Sequence, residues 1–386
     1  MANKNTALNA AGKAKKDEFY TQLTDIEKGL RHYRAHFKGK TILCNCDDPF
    51  ESNFFKYFVL NFNRLGLKKV IATCYAGSPI AGTQLTFFDL LDGKPAESEP
   101  PNRPYKAIVT TVYDKTGDGG VDMLDVAALF KSGENELTEL LGDGDFRSPE
   151  CLALLDEADI VVTNPPFSLF REFMAWLMES GKQFIIIGNM NAISYKEVFP
   201  LIKNNMMWMG ATGSATDMVF GVPEGAAVSE SDRAKAARMG YVGNYTRLGN
   251  SCWYTNIDHG RRHEPLRLMT MADNYKHSKH KELRERKQYY HYENYDAIEV
   301  PYTDAIPSDY EGAMGVPVTF LDKYCPEQFE IIGHPHGDYG LELGLKPFPR
   351  ELKAQNKGLR DGDLYYINDE GKPELPYRRI LIRHKQ

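Results

Sequence analysis

Residues 159–191 read DIVVTNPPFSLFREFMAWLMESGKQFIIIGNMN, and two periodicities lie side by side in them. Residues 159–163 form a short, β-branched apolar run, the pattern of a strand buried on both faces. Ser168 is placed to cap a helix with apolar positions at Phe170, Phe173, Met174 and Leu177, and Gly181 is placed to end it. Residues 183–188 return to a continuous apolar run. A strand, a helix and a second strand in close succession predict a β-α-β unit and, with it, a parallel sheet.

The same reading extends in both directions. Residues 24–37 (TDIEKGLRHYRAHF) put Ile26, Leu30, Tyr33 and Phe37 at helical spacing. Residues 40–46 (KTILCNC) predict a strand, NFFKYFVLNFNRLG a helix stopped at Gly66, and residues 67–75 (LKKVIATCY) the next strand, which makes a first β-α-β unit. Residues 76–142 are rich in Gly, Pro and acids, with one strand at 105–113, and read as an insertion between sheet elements. Residues 206–222 and 251–257 are expected as closing strands of the same sheet, with a Gly/Ala/Ser-rich loop at 224–250. From residue 258 the composition turns basic, Tyr-rich and irregular. The expected division is therefore residues 1–257 and residues 258–386, in an α/β fold.

The chain has 386 residues, 42% hydrophobic and 26% charged, proportions that allow a sizeable core and exclude wholesale disorder. No apolar run approaches the ~18 residues of a membrane span, and the first residues lack a secretory signal, so a cytoplasmic protein is expected. Six cysteines without a repeated CxxC support neither a disulfide framework nor a zinc ribbon, and no metal centre is expected. Cys44 and Cys46, two apart on an expected strand, point the same way but lack further ligands.

The net charge of −6 hides a strong segregation. Residues 114–159 carry 13 acids against Lys115, Lys131 and Arg147, a stretch that repels a phosphate backbone. Residues 1–40 and 261–287 each carry nine Lys/Arg against four acids. Were these two segments to share a face, an acidic protein would still present a positive groove to nucleic acid.

The most informative residues are Asn164, Pro165, Pro166 and Phe167, where the strand at 159–163 ends. In parallel α/β sheets ligand chemistry gathers at the carboxyl ends of strands. A polar-Pro-Pro-aromatic match arises by chance in roughly 2% of chains this long, before its position is counted. The chemistry that needs such a loop is methylation of a planar exocyclic amine, whose lone pair is delocalised into its ring. The Asn164 side-chain oxygen and the Pro165 carbonyl can each accept one amino hydrogen and free the lone pair toward a sulfonium methyl group. Proline fixes the backbone and adds no competing N–H, and Phe167 can stack on the base.

With those residues in hand, the chain resembles the EcoRI-type adenine-specific DNA methyltransferases. The resemblance is carried in order by DEFYTQ (17–22), NCDDP (45–49) with NFFKYF (53–58), GDGDFRS (142–148), DIVVTNPPFSLFRE (159–172), SYKEVF (194–199) and GVPVTFL (315–321). It implies a Rossmann-like S-adenosylmethionine-dependent methyltransferase sheet in residues 1–257 and a smaller target-recognition region in residues 258–386. It also implies that Asp17, Phe19, Tyr20 and Thr21 lie over the cofactor, that Asn45, Asp47, Asp48 and Pro49 form the cofactor loop after the first strand, and that Asp145 and Phe146 lie near the cofactor adenine. The loop at 44–49 lacks the glycines of common nucleotide-binding loops, and the strand ending near Cys74 lacks an acid for ribose hydroxyls.

Reaching an adenine inside a duplex requires extrusion of the base, which contacts elsewhere must offset. Lys13, Lys15, Lys16, Arg261, Arg262, Lys276 and Lys279 are the candidates for phosphate contacts, with base readout from Arg or Asn within residues 225–345. His277 and His280 read as surface residues. The resemblance further implies host modification opposite a partner restriction endonuclease, by a monomer or weak dimer. Two other readings share the motif: a glutamine or RNA-base N-methyltransferase, which commonly carries Tyr where this chain has Phe167, and a non-enzymatic DNA-binding module.

Overall fold

The computed structural model describes residues 20–46, 52–74, 104–213, 218–222, 228–355 and 359–385. The chain divides into two compact units, one of Met1–Ala192 with Met207–Asp258 and the other of Ile193–Met206 with His259–Gln386. The change of composition at residue 258 coincides with the second entry into the C-terminal unit, whereas the excursion at 193–206 has no compositional signature.

The first unit opens with β1 (Tyr20–Thr21) and α1 (Leu23–Leu30), which continues as a 3-10 helix over Arg31–Phe37. Ile26, Leu30, Tyr33 and Phe37, the four positions picked out by spacing, are all buried. Next come β2 (Thr41–Asn45), α2 (Asn53–Leu60) and β3 (Lys69–Thr73). Ser52 caps α2 by accepting the N–H groups of Phe54 and Phe55 at 3.1 and 3.4 Å, and Gly66 ends the following turn in the left-handed conformation at φ 63°.

Then follow β4 (Tyr105–Val109), α3 (Met123–Lys131), β5 (Glu136–Glu139), α4 (Pro149–Glu157), β6 (Ile160–Thr163), α5 (Phe170–Ser180) and β7 (Gln183–Asn189). The unit closes with β8 (Trp208–Met209), β9 (Met218–Gly221), α6 (Glu230–Arg238), β10 (Tyr245–Leu248) and β11 (Ser251–Thr255). Eight strands form one mixed sheet in the order β5-β4-β3-β2-β6-β7-β11-β8. Its centre, β3-β2-β6-β7, is parallel, as the buried apolar runs require, and β4, β5, β11 and β8 add antiparallel flanks.

Several expectations are corrected. Among the described residues of 206–222 only Trp208–Met209 joins this sheet, while β9 is the middle of a separate three-stranded antiparallel sheet, β1-β9-β10. The expected loop at 224–250 contains α6 and β10. α6 escapes a periodicity reading because it is polar all round, with Ala236 its one buried residue. Ser168 does not cap α5; it sits in a 3-10 turn, Phe167–Leu169, because the extended backbone of Pro166 delays the helix. Cys46 lies beyond β2 at φ 77°, so strand alternation does not relate it to Cys44. The part of the insertion within the described residues is ordered: Asp122 and Asp125 close a capping box at the start of α3, and β4 and β5 extend the sheet.

The second unit is built on a five-stranded sheet. Its strands are β12 (Tyr290–His291), β13 (Ala297–Glu299), β14 (Ala313–Pro317), β15 (Phe329–Gly333), a hairpin of β16 (Tyr366–Ile367) with β17 (Pro373–Glu374), and β18 (Arg379–His384). The sheet order is β12-β13-β14-β18-β15, with only β13 and β14 parallel. Among the described residues no helix is long and apolar enough to cross a membrane.

Candidate active site

The sheet order reverses between β2 and β6. From β2 the chain builds outward through β3, β4 and β5, then returns to the other side of β2 as β6 and β7. The ladders show the consequence: β2 stays paired with β3 out to Asn45–Thr73, and β6 with β7 out to Thr163–Ile186, but β2 and β6 pair only at Ile42–Ile160 and Leu43–Val161. The ladder stops there, at the carboxyl edge where the strand order reverses, and that edge of an open α/β sheet is where ligands bind. Two residues further on the strands are still in touch, the Thr163 hydroxyl donating to the Asn45 carbonyl.

Asn164 to Phe167 continue directly from β6 at this edge. Asn164, at 7% exposure, and Pro165 are buried, while Pro166 and Phe167 are half-buried. Phe167 packs against the main core of the unit. α5 is seated closely behind the loop, since a Cβ at Gly188 on β7 would come within 2.3 Å of the Phe170 ring. Only glycine at that position lets the first turn of α5 approach the sheet.

The residues expected around a cofactor separate into three groups. Asp17, Phe19, Asp47, Asp48 and Pro49 lie outside the described residues, as do Lys13, Lys15 and Lys16. Tyr20 and Thr21 form β1, and the Thr21 carbonyl accepts from Asn53 Nδ2 at 2.8 Å, which ties this short strand to the first residue of α2. Asn45 ends β2 at 2% exposure, and neither atom of its side-chain amide has a hydrogen-bond partner; the Thr21 hydroxyl is buried without one too. Buried amides and hydroxyls are nearly always paired, so orphaned polar atoms on β1 and at the carboxyl end of β2 fit a polar ligand bound there.

Asp145 and Phe146 are held by the loop before α4. Gly144 turns this loop at φ 78°, and a Cβ there would meet the Cys74 carbonyl oxygen at 2.1 Å, so the loop lies against the end of β3. The Asp145 carboxylate accepts from Arg147 Nε at 2.8 Å and Nη2 at 2.6 Å, and this pairing holds its carboxyl below the usual range. Arg147 also reaches Glu172 at 2.8 Å. Phe146 is buried in an aromatic cluster, 5.1 Å from Phe173 and 5.3 Å from Trp176. It couples the loop to α5 rather than offering a free ring face.

The basic candidates of the second unit differ among themselves. Arg262 is buried at 8% exposure and donates to Asn205, which removes it from the surface; Arg261 pairs with Asp322 at 3.3 Å. Lys276 is exposed, and Lys279 is exposed while paired with Asp304 at 2.7 Å. His280 stacks on Tyr302 with ring centroids 3.5 Å apart. Sequence reasoning passed over Asn53 and Thr163. Their signal was positional, one at the first helical residue after the loop at 45–49 and the other directly before the Asn-Pro-Pro-Phe tetrad.

A mixed α/β sheet with Asn-Pro-Pro-Phe at the carboxyl edge of a central strand, next to orphaned polar groups at the end of β2, defines an amino-group methyltransferase. The chain belongs to the adenine-specific methyltransferase family of EcoRI, whose pattern matches residues 7–385. It is 40% identical over 383 residues to the type II methyltransferase M.EcoRI of Escherichia coli, covering 99% of this chain and 97% of that one. It is 34% identical over 381 residues to the type II methyltransferase M.MpnI of Mycoplasma pneumoniae, covering 98% of each. No solved structure matches. The protein is an adenine-specific methyltransferase.

Proposed function

We propose that the protein transfers a methyl group from S-adenosylmethionine to the N6 amine of an adenine extruded from duplex DNA, within a restriction-modification system. The observation that carries this reading is the placement of buried Asn164 and Pro165 directly after β6, where the sheet order reverses. The sheet is read as Rossmann-like and cofactor-binding, and residues 258–386 as the main part of the target-recognition region.

When bound, S-adenosylmethionine supplies an electrophilic methyl group on a sulfonium sulfur. The residues that would hold it are Thr21 and Asn45, whose orphaned polar atoms gain partners, together with Asp17, Phe19, Tyr20, Asp47, Asp48 and Pro49. Asp145 and Phe146 belong to this set through their loop. Asn164 Oδ1 and the Pro165 carbonyl accept the two amino hydrogens of adenine, which directs the nitrogen lone pair at the methyl group. Pro165 and Pro166 keep these acceptors in place without reorganisation, and Phe167 holds the base in line by stacking. No side-chain base need remove a proton before transfer; the N6 proton leaves afterwards to solvent.

The relatives' designation as type II methyltransferases supports a role in protecting DNA against a partner endonuclease that reads the same site. A cytoplasmic monomer or weak dimer suits that role. Expression in a methylation-deficient host followed by sequencing of its DNA for modified adenines tests activity, base and site together. Asn164→Ala should abolish modification while cofactor binding stays measurable by calorimetry; unchanged turnover in that variant would falsify the role assigned to Asn164.

A further inference from the structure

The second unit presents one aromatic side chain to solvent on a fixed mount. Tyr377, between β17 and β18, is 75% exposed. Its carbonyl accepts from Arg379 Nη1 at 2.5 Å, and Arg379 Nε in turn contacts both carboxylate oxygens of the buried Glu299 at 3.0 Å. The Tyr292 hydroxyl also donates to Glu299, so the mount is anchored in the unit's interior. The adjoining Arg378 is held by the Ser194 hydroxyl at 2.5 Å.

Beneath Tyr377 lies a recess of about 310 Å³, lined by Tyr377, Arg378, His334, His336 and Asp363 among others. That is the small end of the range for ligand pockets, with room for a single planar heterocycle. His334 is 6% exposed, and its Nε2 has no hydrogen-bond partner. Burial pushes its pKa down to about 4, so at neutral pH the imidazole is uncharged. His336 Nδ1 lies 2.8 Å from Asp363 Oδ1. A carboxylate only accepts, so that nitrogen carries the proton and Nε2 remains for another partner.

An aromatic face, a buried imidazole nitrogen without a partner, a second imidazole and a guanidinium form a combination suited to one nucleobase with its phosphate. We propose that this recess is a base-reading site for the DNA target: Tyr377 stacks on one base, the edge of that base faces His334 and His336, and Arg378 lies against the neighbouring phosphate. The inference rests on the reading of duplex DNA as substrate and names where in the second unit a position of the target is read.

The test uses the full chain and oligonucleotide duplexes carrying the target found by sequencing host DNA, with a set altered one base pair at a time. Tyr377→Ala should lower affinity for the cognate duplex roughly 10- to 100-fold, as expected for loss of one stacked base, and flatten discrimination at one position of the target. Tyr377→Phe should keep both, and calorimetric cofactor binding should match the wild type in each variant. An alanine variant that binds and discriminates like the wild type overturns the base-reading site while leaving the methyltransferase reading intact. Equal losses in the alanine and phenylalanine variants overturn it too, because the ring face would then not be the contact. Wild-type protein that modifies no DNA overturns the substrate reading and this inference together.

Discussion

Replacing Thr163 by Val tests whether a side-chain bond between β6 and β2 sets the position of Asn164. Main-chain pairing between the two strands ends at Leu43–Val161, and the Thr163 hydroxyl reaches the Asn45 carbonyl beyond that point. Valine keeps the β-branched shape at a position with 0% exposure but leaves a buried carbonyl without this donor. Stability should fall by ~1–3 kcal/mol, the desolvation cost of an unmatched polar group. The effect on transfer should be larger than that loss suggests. Thr163 directly precedes Asn164, and a displacement of about 1 Å between reacting groups costs on the order of 100-fold. In single-turnover transfer of labelled methyl from saturating S-adenosylmethionine to a cognate duplex, Thr163→Val should be ~10- to 100-fold slower, and Thr163→Ser should recover most of the rate. Methyl transfer at the wild-type rate by a Val variant that melts measurably earlier would refute the reasoning, since the bond would then be structural only.

Three further outcomes are expected. Gly144→Ala forces a Cβ toward the Cys74 carbonyl from a left-handed backbone, so denaturant titration should show a loss well above ~1 kcal/mol; unchanged stability would contradict the close approach of that loop to β3. Glu299→Gln leaves Arg379 buried beside a neutral group and should cost ~3–5 kcal/mol in urea unfolding, with a loss near zero counting against the buried pair. His334 titrates about 2.5 units lower folded, near 4, than its ordinary 6.5. Its stabilisation is complete above pH 6.5 and lost as pH falls toward 4, worth on the order of 3 kcal/mol. His334→Gln should flatten that part of the stability profile, and identical pH profiles for both proteins would exclude it.

The central sheet was readable because strands covered on both faces leave an uninterrupted apolar run. Residues 159–163 and 183–188 are such runs, and β6 and β7 fall on them. Gly66 and Gly181 were readable as stops because both end helices in the left-handed conformation that favours glycine. Partner choice was not readable: β9 has a strand-like composition, but its neighbours β1 and β10 are set by the path of the chain in space. β5 was missed because ELTE, mostly exposed, has no buried face to impose alternation. In the site, the Asn-Pro-Pro-Phe tetrad was legible as a motif. The bond that ties the strand before the tetrad to β2 was not, because Thr163 and Asn45 are 118 residues apart.

The large sheet ends in two poor templates. On one flank β5 carries Glu136 and Glu139, both exposed, so a strand approaching from another molecule meets negative charge; on the other, β8 is only two residues long. Short or charged margins are how natural sheets resist fibril-like stacking between copies. Concentrated samples should accordingly clear filtration without ladders of higher-order species built through this sheet, and replacing both glutamates of β5 by uncharged strand formers is the change most apt to make the protein sticky.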